Sequence, residues 1–130
     1  MKRIPEGHAY TLRRMGGHMR TLGAGTHLTL PVVERVAHRI RLLGNVVDIG
    51  EIAMPGQNVT LHGRVYYQVL DAQRADAIID EVGPRVRERL PELIAGAPSQ
   101  DTDARNLHLK IELNRSLRER GLLVTRVQLI

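Results

Sequence analysis

The chain contains no cysteine, no phenylalanine and no tryptophan among its 130 residues. Without cysteine it cannot form a disulfide, a Cys-ligated zinc site, a thiol nucleophile or a thiolate-bound cluster. Its only aromatic residues are Tyr10, Tyr66 and Tyr67. Proteins that bind single-stranded nucleic acid stack the bases on aromatic side chains, so this scarcity counts against that class of function.

Long apolar runs are also absent from the sequence. No stretch approaches the roughly 18 consecutive apolar residues that a membrane-spanning helix requires. Lys2, Arg3 and Glu6 interrupt the apolar core that a signal peptide would need at the N-terminus. These absences predict a cytoplasmic protein. Peripheral attachment to the inner face of the membrane is still compatible with them.

Positive charge is concentrated in the N-terminal third of the chain. Residues 1–41 carry eight lysines and arginines against Glu6 and Glu34, a net +6, whereas the other 89 residues carry eleven basic and twelve acidic side chains. This third should therefore attract an anionic partner. The alternative interpretation is that these arginines only keep the protein soluble.

Two groups of arginines are the candidate contact residues. Arg13, Arg14 and Arg20 flank a predicted hairpin, and we expect them to face one anionic surface. The second group is a further basic face formed by Arg35, Arg39 and Arg41, since residues 35–42 alternate between these positions and the apolar Val36, Ile40 and Leu42.

The periodicity of apolar residues predicts an α+β fold. Period-2 patterns indicate a mostly antiparallel sheet from the N-terminal half, with strands at 8–14, 27–30, 35–42, 45–50 and 58–70. Helical patterns follow at 72–79, from Pro84 onward and at 103–119, so two to three helices are expected. A returning C-terminal strand has Leu123, Thr125, Val127 and Leu129 on one face. Residues 4–130 are thus predicted to form a single domain, with residues 1–3 as a short extension.

The sequence offers few groups for catalysis. No histidine belongs to a paired metal-binding motif, and neither Ser99 nor Ser116 lies in a GxSxG motif. We interpret the carboxylate pairs Asp76/Asp80 and Asp101/Asp103 as solvated surface groups and His38 as a hydrogen-bonded core residue. We therefore predict no catalytic residues, no metal site and no cofactor, and expect the protein not to be an enzyme.

Three segments, in the same order, resemble the stomatin/prohibitin/flotillin domain family, also called SPFH or band 7. The first is Ile4-Pro5-Glu6-Gly7-His8 with Arg14-x-Gly16, Arg20-Thr21-Leu22-Gly23-Ala24-Gly25-Thr26-His27 and Leu30-Pro31. The second is Asn58-Val59-Thr60-Leu61-x-Gly63-x-Val65-Tyr66-Tyr67-x-Val69-Leu70-Asp71. The third is Glu112-Leu113-Asn114 followed by Gly121-Leu122-Leu123-Val124-Thr125-Arg126-Val127. The similarity covers about residues 4–130.

The resemblance implies a non-enzymatic scaffold or adaptor, with an α+β domain that docks on a membrane surface or on membrane proteins such as a membrane protease. Only Met1-Lys2-Arg3 precede Ile4, and the sequence ends at Ile130. We therefore expect a head domain without the family's membrane anchor or coiled coil, present as a monomer or small homo-oligomer. Two alternatives stay open. One is a nucleic-acid or polyanion binder that uses the same arginines, and the other is an enzyme with an unrecognised site.

Overall fold

The computed structural model describes residues 2–27, 34–53, 60–96 and 101–130. Its strands are β1 (Lys2–Ile4), β2 (His8–Arg14), β3 (Met19–Leu22), β4 (Gly25–His27), β5 (Glu34–Arg41), β6 (Asn45–Ala53), β7 (Thr60–Val69) and β8 (Leu122–Leu129). Its helices are α1 (Ala72–Ala75), α2 (Val82–Ala95) and α3 (Thr102–Leu117), with 3₁₀ turns at Ile79–Glu81 and Arg118–Arg120. The predicted α+β class is confirmed. Residues 28–30 of the predicted strand 27–30, and residues 58 and 59 of the predicted strand 58–70, lie outside the described residues.

The described strands form three antiparallel sheets with the orders β1–β4, β3–β2–β5 and β6–β7–β8. One face of β6–β7–β8 is covered by α2 and α3. The buried residues of these helices recur at every fourth position: Val82, Val86, Leu90 and Ile94 in α2, and Arg105, Leu109, Leu113 and Leu117 in α3. That spacing keeps one side of each helix against the sheet. A smaller apolar cluster of Ile4, Leu12 and Leu22 joins β1 to the β3–β2–β5 sheet.

In the strands that the structure describes, β-bulges break the alternation of side chains at three places. Ala37, Ile49 and Thr125 each lack a partner in the register of β5, β6 and β8. An extra residue moves every later side chain to the other face of the sheet. In β8 the buried residues are therefore Leu122 and Val124 before the bulge, then Val127 and Leu129 after it. The predicted single face through Leu123 and Thr125 is wrong for this reason.

Local capping defines both ends of the helical region. Asp71 accepts a hydrogen bond from the backbone N–H of Arg74 at 3.2 Å and so caps α1. Gly121 follows the last 3₁₀ turn with φ 78°, a left-handed conformation that glycine adopts without steric cost. The chain then enters β8 beside β7.

Side chains of α3 close the outer edge of β8. The Asn114 amide accepts a hydrogen bond from Val124 N at 2.7 Å and donates one to Val124 O at 3.0 Å. Arg105, only 8% exposed, and Asn106 both donate to Leu129 O, at 2.9 and 3.2 Å. An uncovered edge strand can pair with another chain, so these contacts protect β8.

Candidate functional site

The hairpin between β2 and β3 carries the basic residues expected to make an anionic contact. It turns at Met15, Gly16 and Gly17, with Arg14 N donating to His18 O at 2.8 Å and Gly17 N to Arg14 O at 3.0 Å. Both glycines have positive φ, which allows so tight a turn. The Met15 side chain is 75% exposed at the tip. The turn thus presents an apolar side chain between the two arginine-bearing strands.

The three arginines of the hairpin, which are predicted to contact one anionic surface, are divided between the two faces of the sheet. Arg14 and Arg20 share a face with Glu34, and each guanidinium Nε lies 3.3 Å from the same Glu34 oxygen. Arg13 lies on the other face, directly opposite Arg35 of β5. Neighbouring residues of a strand point to opposite sides, so Arg13 and Arg14 cannot contact a flat surface through one face of the sheet.

The second predicted group is also divided. Arg39 and Arg41 lie on the face of β5 that bears Tyr10, and the Arg39 guanidinium sits 5.6 Å from the centre of the Tyr10 ring. Arg35 lies on the opposite face because the bulge at Ala37 shifts the alternation between them. The prediction that Arg35, Arg39 and Arg41 share one face is therefore wrong.

Four arginines nevertheless meet at one end of the β3–β2–β5 sheet. We call Arg13, Arg14, Arg20 and Arg35, together with the Met15 turn, the arginine end. Glu34 is the one carboxylate in this group and is buried beneath Arg14 and Arg20. Four positive charges against one negative charge leave the arginine end with a net +3. Arg13 faces Arg35 across the strands, and such a like-charge pair favours binding of an anion.

A second cluster of polar side chains lies around His38 on β5. His38 Nδ1 donates to Asp76 Oδ1 at 2.5 Å, and Nε2 donates to Asp80 Oδ2 at 2.8 Å. The Thr11 hydroxyl donates to Asp76 and accepts a hydrogen bond from His38 N at 3.1 Å. This histidine cluster ties the β2–β5 pair to the segment that follows α1. The prediction that His38 is hydrogen-bonded is confirmed, but it is not a core residue, since its side chain is 25% exposed.

The interpretation of Asp76 and Asp80 as a solvated pair is wrong for Asp76. Its side chain is 3% exposed, whereas that of Asp80 is 82% exposed. A buried carboxylate needs hydrogen-bond donors, and His38 and Thr11 supply them. Carboxylates contact both ring nitrogens of His38, and such contacts favour the protonated ring, an imidazolium. An imidazolium has no free lone pair to accept a proton, which favours a structural role over general-base chemistry.

The histidine cluster should make stability depend on pH. The hydrogen bond to Asp80 contributes most to raising the pKa of His38 above its ordinary 6.5, burial opposes it, and the hydrogen bond and charge of Asp76 add to it. A raised folded-state pKa gives stability that is fully present below the unfolded-state pKa and lost as pH rises through the folded-state pKa. We therefore expect the urea midpoint of the wild type to fall as pH rises from 6.5 through the raised pKa of His38. The midpoint of His38→Gln should fall less over the same pH range. If the urea midpoints of the two proteins changed with pH in parallel, His38 would not be the source of the pH dependence.

A groove of about 410 Å³ lies between α2 and α3. Its charged lining is balanced, with Arg85, Arg89 and Arg120 set against Glu88, Glu92 and Glu119. Such a lining favours neither an anion nor a cation. Because the arginine end has a clear excess of one charge, it is the better candidate for partner recognition.

No protein-family model matches this sequence. Among the described residues, no group of three or more His, Asp or Glu side chains is arranged to hold a metal ion. None of the helices in the described part of the chain has the length and apolar character needed to cross a membrane.

Two contacts of these clusters were missed by the sequence reasoning. Glu34 is the only carboxylate between Glu6 and Asp48, and its isolation among basic residues was the available signal that it would be paired. The His38–Asp76 contact joins residues 38 positions apart. Its only signal was the presence of a titratable side chain among the apolar residues of a predicted strand.

Proposed function

We propose that this protein is a non-enzymatic adaptor, of the kind that the SPFH resemblance implies, and that it docks on anionic membrane surfaces through the arginine end. The observation that carries this proposal is the combination of a net +3 charge and the exposed Met15 at a single hairpin. Anionic headgroups attract arginines, and an apolar tip gains free energy when it enters the boundary between headgroups and acyl chains.

The division of the arginines between two faces of the sheet suits an end-on approach. With the hairpin tip directed at the membrane, side chains from both faces reach the headgroups around Met15. Long arginine side chains can extend along the hairpin towards the phosphates while their aliphatic parts remain against the protein. A membrane surface accepts this arrangement because its charge is spread over the plane, without a single fixed counter-ion.

Neutralising Arg13 and Arg35 together is expected to weaken vesicle binding by about 2 kcal/mol, or about thirtyfold, since each arginine near an anionic leaflet contributes about 1 kcal/mol. Arg13→Gln/Arg35→Gln leaves both partners of Glu34 in place, so the fold should be preserved. The measurement is co-sedimentation with vesicles of phosphatidylserine and phosphatidylcholine, compared with phosphatidylcholine alone. Binding of the wild type should fall as salt is raised.

The matched control is Arg118→Gln/Arg126→Gln, which removes the same charge from exposed positions outside the arginine end. Equal losses in the two variants would mean that net charge alone drives binding, and the arginine end would lose its assignment. Absence of binding to protein-free vesicles would favour a membrane-protein partner. A mobility shift with duplex DNA at the same salt, without vesicle binding, would favour the polyanion alternative.

A further inference from the structure

The outward side of α3 carries a row of side chains that differs from its buried row. Leu107 and Ile111 are 57% and 48% exposed, although both are large and apolar. Asp103 lies four residues before Leu107, and Arg115 lies four residues after Ile111. We call Asp103, Leu107, Ile111 and Arg115 the α3 ridge. Residues four apart form one of the ridges by which helices pack against each other.

The α3 ridge is complementary to a second copy of itself running in the opposite direction. In an antiparallel pair centred on residue 109, Leu107 of one copy lies beside Ile111 of the other. The same register brings Asp103 beside Arg115 at each end. A parallel pair would instead place Asp103 beside Asp103 and Arg115 beside Arg115, so charge selects the antiparallel arrangement.

We propose that two copies of this chain form a two-fold symmetric dimer through their α3 ridges. Packing of two such four-residue ridges is the commonest class of helix contact, with axes crossing at about 50°. A two-fold axis makes each residue contact occur twice, so the ridge supplies two apolar contacts and two ion pairs. This proposal uses no residue of the arginine end and is independent of the proposed function.

Arg115 and Asp103 are both exposed to solvent and can reach a partner. Arg115 lies 3.4 Å from Glu112 within the same helix, but its side chain is largely exposed. An exposed pair of this kind is worth little, so Arg115 can turn to a partner at small cost. The backbone edge of β8 is already bonded to Asn114, Arg105 and Asn106. Association through α3 side chains is therefore favoured over pairing along that edge.

One helix contact of this size forms a weak, reversible dimer, because it buries less surface than a standard stable interface. We expect sedimentation velocity to show a monomer–dimer equilibrium between about 1 μM and about 1 mM, the range in which weak contacts form. Leu107→Asp should leave a monomer throughout this range. The control is Leu43→Asp, at another exposed apolar side chain, which should leave the equilibrium unchanged. A monomer at every wild-type concentration would overturn the proposal.

The lack of cysteine allows a direct test of the antiparallel register. Leu107→Cys and Ile111→Cys proteins are purified separately and then oxidised, alone or as an equal mixture. The proposed dimer places residue 107 beside residue 111, so the mixture should give a crosslinked heterodimer, with much less crosslinking of either protein alone. Preferential crosslinking of Leu107→Cys to itself would refute the register and the proposal with it.

Charge exchange gives an independent test. Asp103→Arg places arginine beside Arg115, and Arg115→Asp places aspartate beside Asp103, so each change should raise the dimer dissociation constant at least about tenfold. The double variant Asp103→Arg/Arg115→Asp recreates both ion pairs with reversed signs and should restore dimerisation. Failure of the double variant to recover, with helix content unchanged by circular dichroism, would contradict the pairing.

Discussion

Gly63→Ala is expected to destabilise the protein by at least about 4 kcal/mol, or to prevent folding, which places it among the largest effects of a single substitution. Gly63 lies in the middle of β7 with φ 156°, and a Cβ atom there would stand 1.8 Å from the backbone oxygen of Gln128 on β8. Because the obstructing atom belongs to the backbone, no rotamer change can relieve the contact. The β7–β8 pairing would have to separate. Urea denaturation followed by circular dichroism measures the loss.

Gly50→Ala is the matched control, since Gly50 is the cross-strand partner of Gly63 in β6. Its φ of 66° is also left-handed, but a Cβ atom there would meet no heavy atom within 4 Å. We expect this change to cost only the backbone strain, about 1–2 kcal/mol. Similar losses for the two variants would show that backbone conformation, and not the approach of β8, requires glycine at residue 63.

The order of strands and helices could be predicted from the sequence because each element has a clear apolar period. Leu61, Val65 and Val69 are buried at alternating positions of β7, and Leu109, Leu113 and Leu117 are buried at every fourth position of α3. Faces were predicted less well where a bulge intervenes. A bulge inserts one residue without changing the composition of a strand. The bulges at Ala37 and Thr125 could therefore not be predicted from the sequence.

The arginine end could be predicted in composition but not in arrangement. The sequence shows a surplus of arginine in the N-terminal third, which is a property of the chain that folding does not alter. The separation of Arg13 from Arg14 follows from alternation within β2 alone. Which β5 residues share a face with each of them depends on the pairing of β2 with β5, and the bulge in β5 changes that pairing. Contacts such as Arg14–Glu34 depend on the same register, so local periodicity could not reveal them.

Leu113 and Asn114 of the Glu112-Leu113-Asn114 segment each have a structural role. Leu113 is part of the buried row of α3, while Asn114 holds both polar backbone groups of Val124 in β8. An asparagine amide has one acceptor and one donor group, as a peptide group of a neighbouring strand would have. Asn114 therefore bonds the edge of β8 at Val124 as a residue of a neighbouring strand would.

Asp76→Ala is expected to lower the free energy of unfolding by about 3 kcal/mol, because it removes the buried carboxylate of a partly buried charged pair. The substitution deletes the acceptor for both His38 Nδ1 and the Thr11 hydroxyl. The Thr11 side chain is fully buried, so its hydroxyl would be left without that acceptor away from water. Chemical denaturation below pH 6.5, where His38 is charged, gives the measurement.

Asp80→Ala provides the comparison because it also removes one carboxylate from His38, at the other ring nitrogen. Asp80 is exposed to solvent, and exposed ion pairs contribute at most about 1 kcal/mol. Asp76→Ala should therefore be the more damaging change by about 2 kcal/mol, even though both variants lose the same charge and the same functional group. Equal losses would show that Asp76 acts through its charge alone. A larger loss for Asp76→Ala than for Asp80→Ala would show that a buried carboxylate holds β2, β5 and the segment after α1 together.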